Sequence, residues 1–345
     1  ANVGQTSNKG IEIALQGVLV KTRDWNVTAG FNINFNRGKV DKLADNVTGL
    51  YGTEWATSST FPKSDYVLKE GRPVGLVRGL TADGFYTTDD FTYENGVYIL
   101  KEGVADVSSA VFPNYHLHNG MNERPAGQLA YPGMAKFKDL NDDGIINDDD
   151  VDVIGDMTPV HTGGFNINAT YKNFDLGLYF NWSYGNEIYN VNKLAALYGY
   201  KEGAVYENKL SIVKDCYKIY DVVNGELVAL TTPEQLNAAN ANAKLPLAYS
   251  ENGYVSTLGI EDGSYLRLNT LTLGYTLPKS MLQKAGISNL RVYGSIYNVF
   301  TITGYSGIDA EVSTSTSTKT YPQLGMDWGT YPRARSFVLG VNLSF

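Results

Sequence analysis
Twelve consecutive residues, "WNVTAGFNINFN" from Trp25 to Asn36, keep a period of two without error. Trp25, Val27, Ala29, Phe31, Ile33 and Phe35 fall on one side; Asn26, Thr28, Gly30, Asn32, Asn34 and Asn36 fall on the other. Successive side chains of an extended chain point to opposite faces, so this segment is a strand with one apolar and one polar face. The pattern recurs in "GIEIALQGVLV", where Ile11, Ile13, Leu15 and Leu19 alternate with Glu12, Ala14, Gln16 and Val18. It recurs again in "GFNINATY" (Gly164 to Tyr171), "FDLGLYFNW" (Phe174 to Trp182) and "RSFVLGVNLSF" (Arg335 to Phe345). "LRVYGSIYNVF" (Leu290 to Phe300) alternates more loosely. "YLRLNTLTLGYTLP" changes face near Asn269, as a β-bulge would make it do. The expected fold class is therefore all-β, with seven strands in sight.

The polar face carries Asn, Gly, Thr, Ser and Gln rather than Lys and Glu. Such residues suit a wet lumen better than the charge-rich outer face of a soluble sheet. Aromatic residues collect at the strand ends, as in the girdles of an outer-membrane barrel: Trp25, Phe35, Tyr171, Phe174, Trp182, Tyr275, Phe300, Phe337 and Phe345. Eleven residues at about 3.3 Å each, tilted by about 45°, span about 25 Å, the height of the apolar band of such barrels. The links alternate short and long. The short ones are Thr22 to Asp24, Lys172–Asn173 and Pro278 to Ser288; the long ones are 37–162, 185–262 and 303–334. Short turns on one side and long loops on the other predict periplasmic turns and mainly extracellular loop regions. By that parity Phe345 lies at the periplasmic interface. Single-chain bacterial barrels close with even strand numbers, so seven strands read as the C-terminal strands of a larger barrel. A β-sandwich with decorated loops would also alternate and stays open at this stage.

The bulk numbers narrow the class. Net charge is -8, which disfavours nucleic acid as a partner. Charged residues make up 19% of the chain, below the roughly 25% of soluble domains. Cys216 is the only cysteine, so no intrachain disulfide forms. Apolar runs are too short for a membrane helix, and "ANVGQTSNKG" shows no secretory leader pattern. A mean hydropathy of -0.22 is compatible with a barrel, whose hydrophobicity is hidden in alternation.

Seven stretches together resemble the SusC/RagA-type TonB-dependent outer-membrane transporters, in that family's order and over nearly the whole chain. They are "NKGIEIAL", "EGRPVGLVRGLTADGFY", "DLNDDGIINDDDVDVIGD", "YKNFDLGLYFNWSYGNEIYN", "SYLRLNTLTLGYTLPKSML", "SNLRVYGSIYNVFTITGYSGID" and "YPRARSFVLGVNLSF". The resemblance implies a plugged barrel of about 22 strands in the cell outer membrane, contacting outer-membrane lipid. It further implies a SusD-like surface lipoprotein as partner, energy from a TonB–ExbB–ExbD complex, and import of oligosaccharides or peptides. The expected TonB box and plug lie outside this chain, so no residue here is assigned to energy coupling. Two other readings compete: a secreted, calcium-bound, carbohydrate-binding β-protein, and a barrel adhesin that transports nothing. They differ from the transporter in extraction behaviour, since a secreted module washes off in buffer.

One motif carries chemistry. "DLNDDGIINDDD" sets Asp139, Asn141, Asp143, Ile145, Asn147 and Asp150 around Gly144 with the spacing of an EF-hand loop. Oxygens at the first, third and fifth positions wrap a hard cation, Gly144 permits the turn, Ile145 lends its carbonyl, and Asp150 closes the shell. The shorter aspartate at the last position resembles a dockerin-type calcium loop. An Asx-rich turn that needs no ion is the alternative. No organic cofactor, phosphate loop, nucleophile elbow or other enzyme signature appears, so a non-enzyme is expected. His116 and His118 are read as a hydrogen-bonded or exposed pair rather than metal ligands, His161 as a loop residue, and Cys216 as a small buried side chain. Ser313 to Thr318 reads as low-complexity loop, and Thr232, Pro233 and Gln235 as the start of a short helix. The loop aromatics Tyr51, Trp55, Phe85, Tyr86, Phe91, Tyr115, Tyr198 and Tyr200 are read as packing groups before sugar-stacking ones; the substrate-binding residues are unknown.

Overall fold
The computed structural model describes residues 4–112, 124–197, 208–248, 253–283, 286–312 and 324–345. Seven strands form one antiparallel sheet in which every strand lies beside its neighbours in sequence. They are β1 (Gly4–Lys21), β2 (Trp25–Leu43), β3 (His161–Tyr171), β4 (Phe174–Tyr184), β5 (Tyr265–Thr276), β6 (Asn289–Thr303) and β7 (Ser336–Ser344). The expected antiparallel barrel wall is present, and none of its helices is long and apolar enough to cross a membrane among the described residues.

Register converts the alternation into rows that run across the whole sheet. Ala29, Ile167, Leu178, Leu271, Ile296 and Phe337 stand side by side on one face. One residue along, Thr28, Asn168, Gly177, Thr272, Ser295 and Val338 line the other. The apolar face is open rather than packed on a core: Leu15, Leu19, Leu273, Leu339 and Val341 are all exposed. A soluble protein would not leave so contiguous an apolar surface uncovered; hydrocarbon is the solvent it fits. Gly163 lets Trp182 lie flat along this face, because a Cβ there would collide with the indole and with the Asn32 carbonyl.

The irregularity near Asn269 is a bulge. On β4, Tyr179 and Phe180 are consecutive, yet their partners on β5 are Thr270 and Leu268, so Asn269 is extra. On the other side the partners are Tyr297 and Phe300, leaving Asn298 and Val299 opposite the same point, with Asn298 at φ 52. An uninterrupted period from Leu271 would place Arg267 toward lipid. The extra residue returns Arg267 to the polar face, between Asn181 and Thr301.

The short turns behave as their residues demand. Lys172–Asn173 closes a two-residue hairpin between Tyr171 and Phe174, with Lys172 at φ 51 as such turns require. At the opposite end β1 and β2 run to 18 and 19 residues, well past the ~9–11 that cross a bilayer. The extension of β2 is pinned by the turn at 69–72: Val40 exchanges backbone hydrogen bonds with Gly71 and Arg72, and the Leu43 amide donates to Glu70.

The three long connections fold together as a cap. In the first, Leu50–Gly52, Tyr66–Leu68, Leu76–Leu80 and Val151–Asp156 make a four-stranded sheet. Glu187–Asn190 from the second pairs with Ile260–Asp262 and also with Met326–Asp327 from the third. One core joins Phe61, Leu80, Tyr86, Tyr98 and Tyr131 of the first connection to Leu236 and Tyr254 of the second. Another takes Tyr66 and Val77, Tyr189 and Leu194, and Met326 from the three in turn. Thr232 caps the helix Pro233–Asn240 as its sequence predicts, exchanging hydrogen bonds with Gln235.

The faces make opposite demands on charge. In the full-length barrel, Leu178→Arg lowers unfolding free energy by about 2–4 kcal/mol, the cost of a cation at mid-membrane, whereas Gln16→Arg on the polar face is close to neutral. Denaturant titration of protein refolded into vesicles, read by heat-modifiable gel mobility, checks this; equal effects would contradict the assignment of faces.

Candidate functional site
The polar face of the sheet meets the underside of the cap around Arg267. Its side chain is 2% exposed. Nε donates to Thr301 Oγ1 at 3.0 Å, Nη1 to Glu311 Oε2 at 2.9 Å, and Nη2 to Asp309 Oδ1. Arg333 reaches the same two carboxylates, at 3.0 Å from Glu311 and 3.5 Å from Asp309. Two guanidiniums and two carboxylates thus hold the third connection against the barrel wall. Sequence reading passed over this cluster, although an arginine inside an alternating barrel strand is its signal. The same connection is closed on itself at one point and tied to the second connection at another. Tyr305 donates to Asp327 at 2.6 Å, and Ser306 donates to Glu261 through both its amide and its hydroxyl. Burial, then the Asp327 hydrogen bond, push the Tyr305 phenol far above its usual range. Burial alone would raise Glu261, but the Ser306 hydrogen bonds and Lys193 at 3.2 Å outweigh it and hold the carboxyl low.

Elsewhere in the cap, buried carboxylates organise backbone. Asp65 is fully buried and accepts from the amides of Glu54, Trp55 and Ala56 at 2.8, 2.8 and 3.0 Å. Burial raises its pKa, and those three donors oppose the shift. Glu187 is raised by burial and by the charges of Asp156 and Asp262, with the Asp156 amide opposing. These groups order the loops; among the described residues no three acidic, imidazole or thiol side chains converge as a metal cluster by themselves.

The Asp139–Asp150 segment forms a compact turn. Asp139 accepts from the amides of Asp143 and Gly144 at 3.3 and 2.7 Å, and Asn141 donates its side-chain amide to Asp143 at 3.0 Å. Asp142 and Gly144 carry the positive φ values, 59 and 83. Asn147 caps the following turn by accepting from Asp149, and donates to the Ile145 carbonyl at 3.1 Å. Asp150, fully buried, spends one oxygen on the Leu140 amide at 2.7 Å and the other on the Asn147 amide at 2.8 Å. The first three ligand positions gather on one side of the turn, while the closing carboxylate clasps the backbone. Each carboxylate oxygen engaged this way keeps a second lone pair.

The remaining sequence candidates separate. His161 is not a loop residue: it opens β3, pairs with Tyr184, and its Nδ1 accepts from the Trp182 indole at 3.1 Å. Stacked on Tyr184 and edge-on to Phe35, it joins an aromatic cluster at the cap end of the wall. Two glycines after it, Gly163 and Gly164, interrupt the pattern that would have revealed the strand. Cys216 is buried as expected, its thiol pushed up to about 11 by burial and by Asp215. Tyr86 and Phe91 are core residues, Phe85 packs on Tyr217, and Trp55 packs edge-on to Tyr189, whereas Tyr51 is exposed. His116, His118, Tyr115, Tyr198, Tyr200 and the Ser313–Thr318 run lie outside the described residues.

A meandering sheet with one lipid-type and one lumen-type face, short turns at one end and a woven cap at the other, defines the wall of an outer-membrane β-barrel. Comparison with known proteins agrees. The chain is 29% identical over 349 residues to the TonB-dependent receptor P3 of Formosa agariphila, covering 100% of this chain and 29% of that one. It is 26% identical over 351 residues to the TonB-dependent receptor SusC of Bacteroides thetaiotaomicron, covering 100% and 27%. Among solved structures it superposes on the RagAB peptide importer in its closed-closed state with a TM-score of 0.66 at 21% identity, covering 100% of this chain and 30% of that one. The open-open state gives 0.62. No family model matches. The SusC/RagA-type resemblance read from the motifs is thus a full-length similarity, to relatives of which this chain spans less than a third, and it fits the C-terminal barrel portion of a TonB-dependent receptor. These relatives are named as receptors and importers, not enzymes.

Arg267→Met leaves Asp309 and Glu311 short of a counter-charge. Removing one member of a buried ionic cluster costs about 3 kcal/mol. The expected result is a lower melting temperature and faster protease cleavage within 303–334, in the full-length protein; unchanged cleavage would show that the cluster does not hold this loop.

Proposed function
We propose that this chain is the barrel portion of an outer-membrane nutrient importer that carries oligosaccharides or peptides, draws energy from TonB through a plug outside these residues, and works with a SusD-like surface lipoprotein. The observation that carries this reading is the two-faced wall: an apolar band that needs lipid, backed by a hydrogen-bonding face rich in Asn, Gly, Thr and Ser that a polar solute can slide along. The similarity to SusC and to RagAB supports import as the activity, and the RagAB description supports a two-component assembly. A cap packed from three connections supplies a broad, ordered extracellular surface on which a lipoprotein can seat.

The full-length protein is expected in the detergent-soluble fraction of the outer membrane, with a surface lipoprotein co-purifying. Deleting its gene, or collapsing the proton-motive force, should abolish accumulation of its oligosaccharide or peptide nutrient by intact cells. A buffer-soluble protein, or accumulation unaffected by both treatments, would overturn the reading.

The Asp139–Asp150 turn is proposed as a calcium loop that stiffens the first connection. Asp139, Asn141, Asp143 and Asp150 would supply side-chain oxygens, Ile145 its carbonyl, and Asn147 an outer contact. Stoichiometric calcium should remain after dialysis of wild type, be lost in Asp139→Ala, and raise the melting temperature over that in chelator. Absence of calcium, with no thermal effect of chelation, would leave an ion-free turn.

A further inference from the structure
The first connection forms a half-open pocket of about 440 Å³, bordered at one edge by Asp148 of the Asp139–Asp150 turn. Arg78 lines it from the middle of the strand Leu76–Leu80. The guanidinium is half-buried, lies 4.8 Å above the Tyr51 ring, and donates from Nη1 to Ser64 Oγ at 2.8 Å. Among the described residues no carboxylate lies within ion-pair distance of it. Burial lowers its pKa, and the charges of Tyr51 and Asp148 oppose the shift. Ser58, Ser59 and Ser109, all exposed, also line this space. Lys63 adds a second, exposed cation, and Asp148 a single exposed acid. On a chain of net charge -8, two cations against one acid reverse the prevailing sign.

A half-buried guanidinium with free donors matches a planar, two-oxygen anion better than any neutral group. We propose that this cavity binds a ligand bearing a carboxylate, supplied by a uronic-acid sugar or by a peptide C-terminus, with Arg78 and Lys63 on the carboxylate and the serines on neighbouring hydroxyl or amide groups. Its volume falls within the usual ~300–1,000 Å³ of ligand pockets, enough for one or two sugar or amino-acid units. The proposal extends the import reading by naming a substrate class, but its test is binding to purified protein. Loss of uptake with binding intact would therefore count against import alone.

The test is isothermal titration of the full-length, detergent-solubilised protein with glucuronate, glucose, N-acetyl-dialanine and N-acetyl-dialanine amide. At least one acid should bind, its neutral counterpart should not, and the acid that binds identifies the sugar or the peptide source. Arg78→Gln should weaken that acid roughly 10- to 100-fold, as loss of a charged hydrogen bond does. Lys63→Gln, exposed and safe for folding, should weaken it about 2- to 5-fold. The proposal is overturned if neither acid binds or if acid and neutral forms bind alike. It is equally overturned if the folded variants keep wild-type affinity. Should Arg78→Gln fail to fold, Lys63→Gln and the acid–neutral comparison decide.

Discussion
A backbone amide in hydrocarbon has no water to bond, and leaving one unpaired costs several kcal/mol. The rest of this structure depends on that constraint. It forces the membrane-facing chain into a ladder in which β2 to β6 are each bonded on both sides. Once the ladder exists, side chains have only two directions to point, and the bilayer and the lumen select one residue set each. The rows of Leu and Ile on one face and of Asn, Thr and Ser on the other are the record of that selection.

Outside the membrane the constraint lapses, and a different economy takes over. Water can satisfy a loop's amides, so the long connections hold together only where they exclude it. They do so jointly: the cores at Tyr86–Tyr98–Tyr131 and at Tyr66–Tyr189–Met326 draw on segments more than a hundred residues apart. Tyr66 even donates to the Leu324 carbonyl across 258 positions of sequence. The ionic cluster at Arg267 then fastens the cap to the wall, so the cap and the polar face share one mechanical support.

The contrast explains what could be read from the sequence. The seven wall strands and the Asn269 irregularity were legible because each is a local periodic pattern imposed by two solvents. The upper part of β2 was not, since Arg37, Lys39, Asp41 and Lys42 look like loop residues once the strand leaves the bilayer. His161 was hidden by the glycines that follow it. The spacing from Asp139 to Asp150 announced a turn with oxygen ligands in order, yet could not reveal that Asp150 would clasp the Leu140 and Asn147 amides. Arg267 escaped because its meaning lies in Asp309 and Glu311, whose positions depend on long-range folding. The Arg78 cavity is invisible for the same reason.

The bulge at Asn269 has a consequence for how such a wall can evolve. On either side of it β5 obeys a two-letter reading frame, outward or inward, and the extra residue is a frame shift that the opposing pair Asn298–Val299 absorbs. The strand is therefore two messages joined at a hinge of parity: a lower one that answers to lipid throughout, and an upper one reset to deliver a cation to the lumen. Changes of single letters can be tolerated within either message. A lost or gained letter at the junction would turn the upper message inside out, sending Arg267 to the lipid and its greasy neighbours to water.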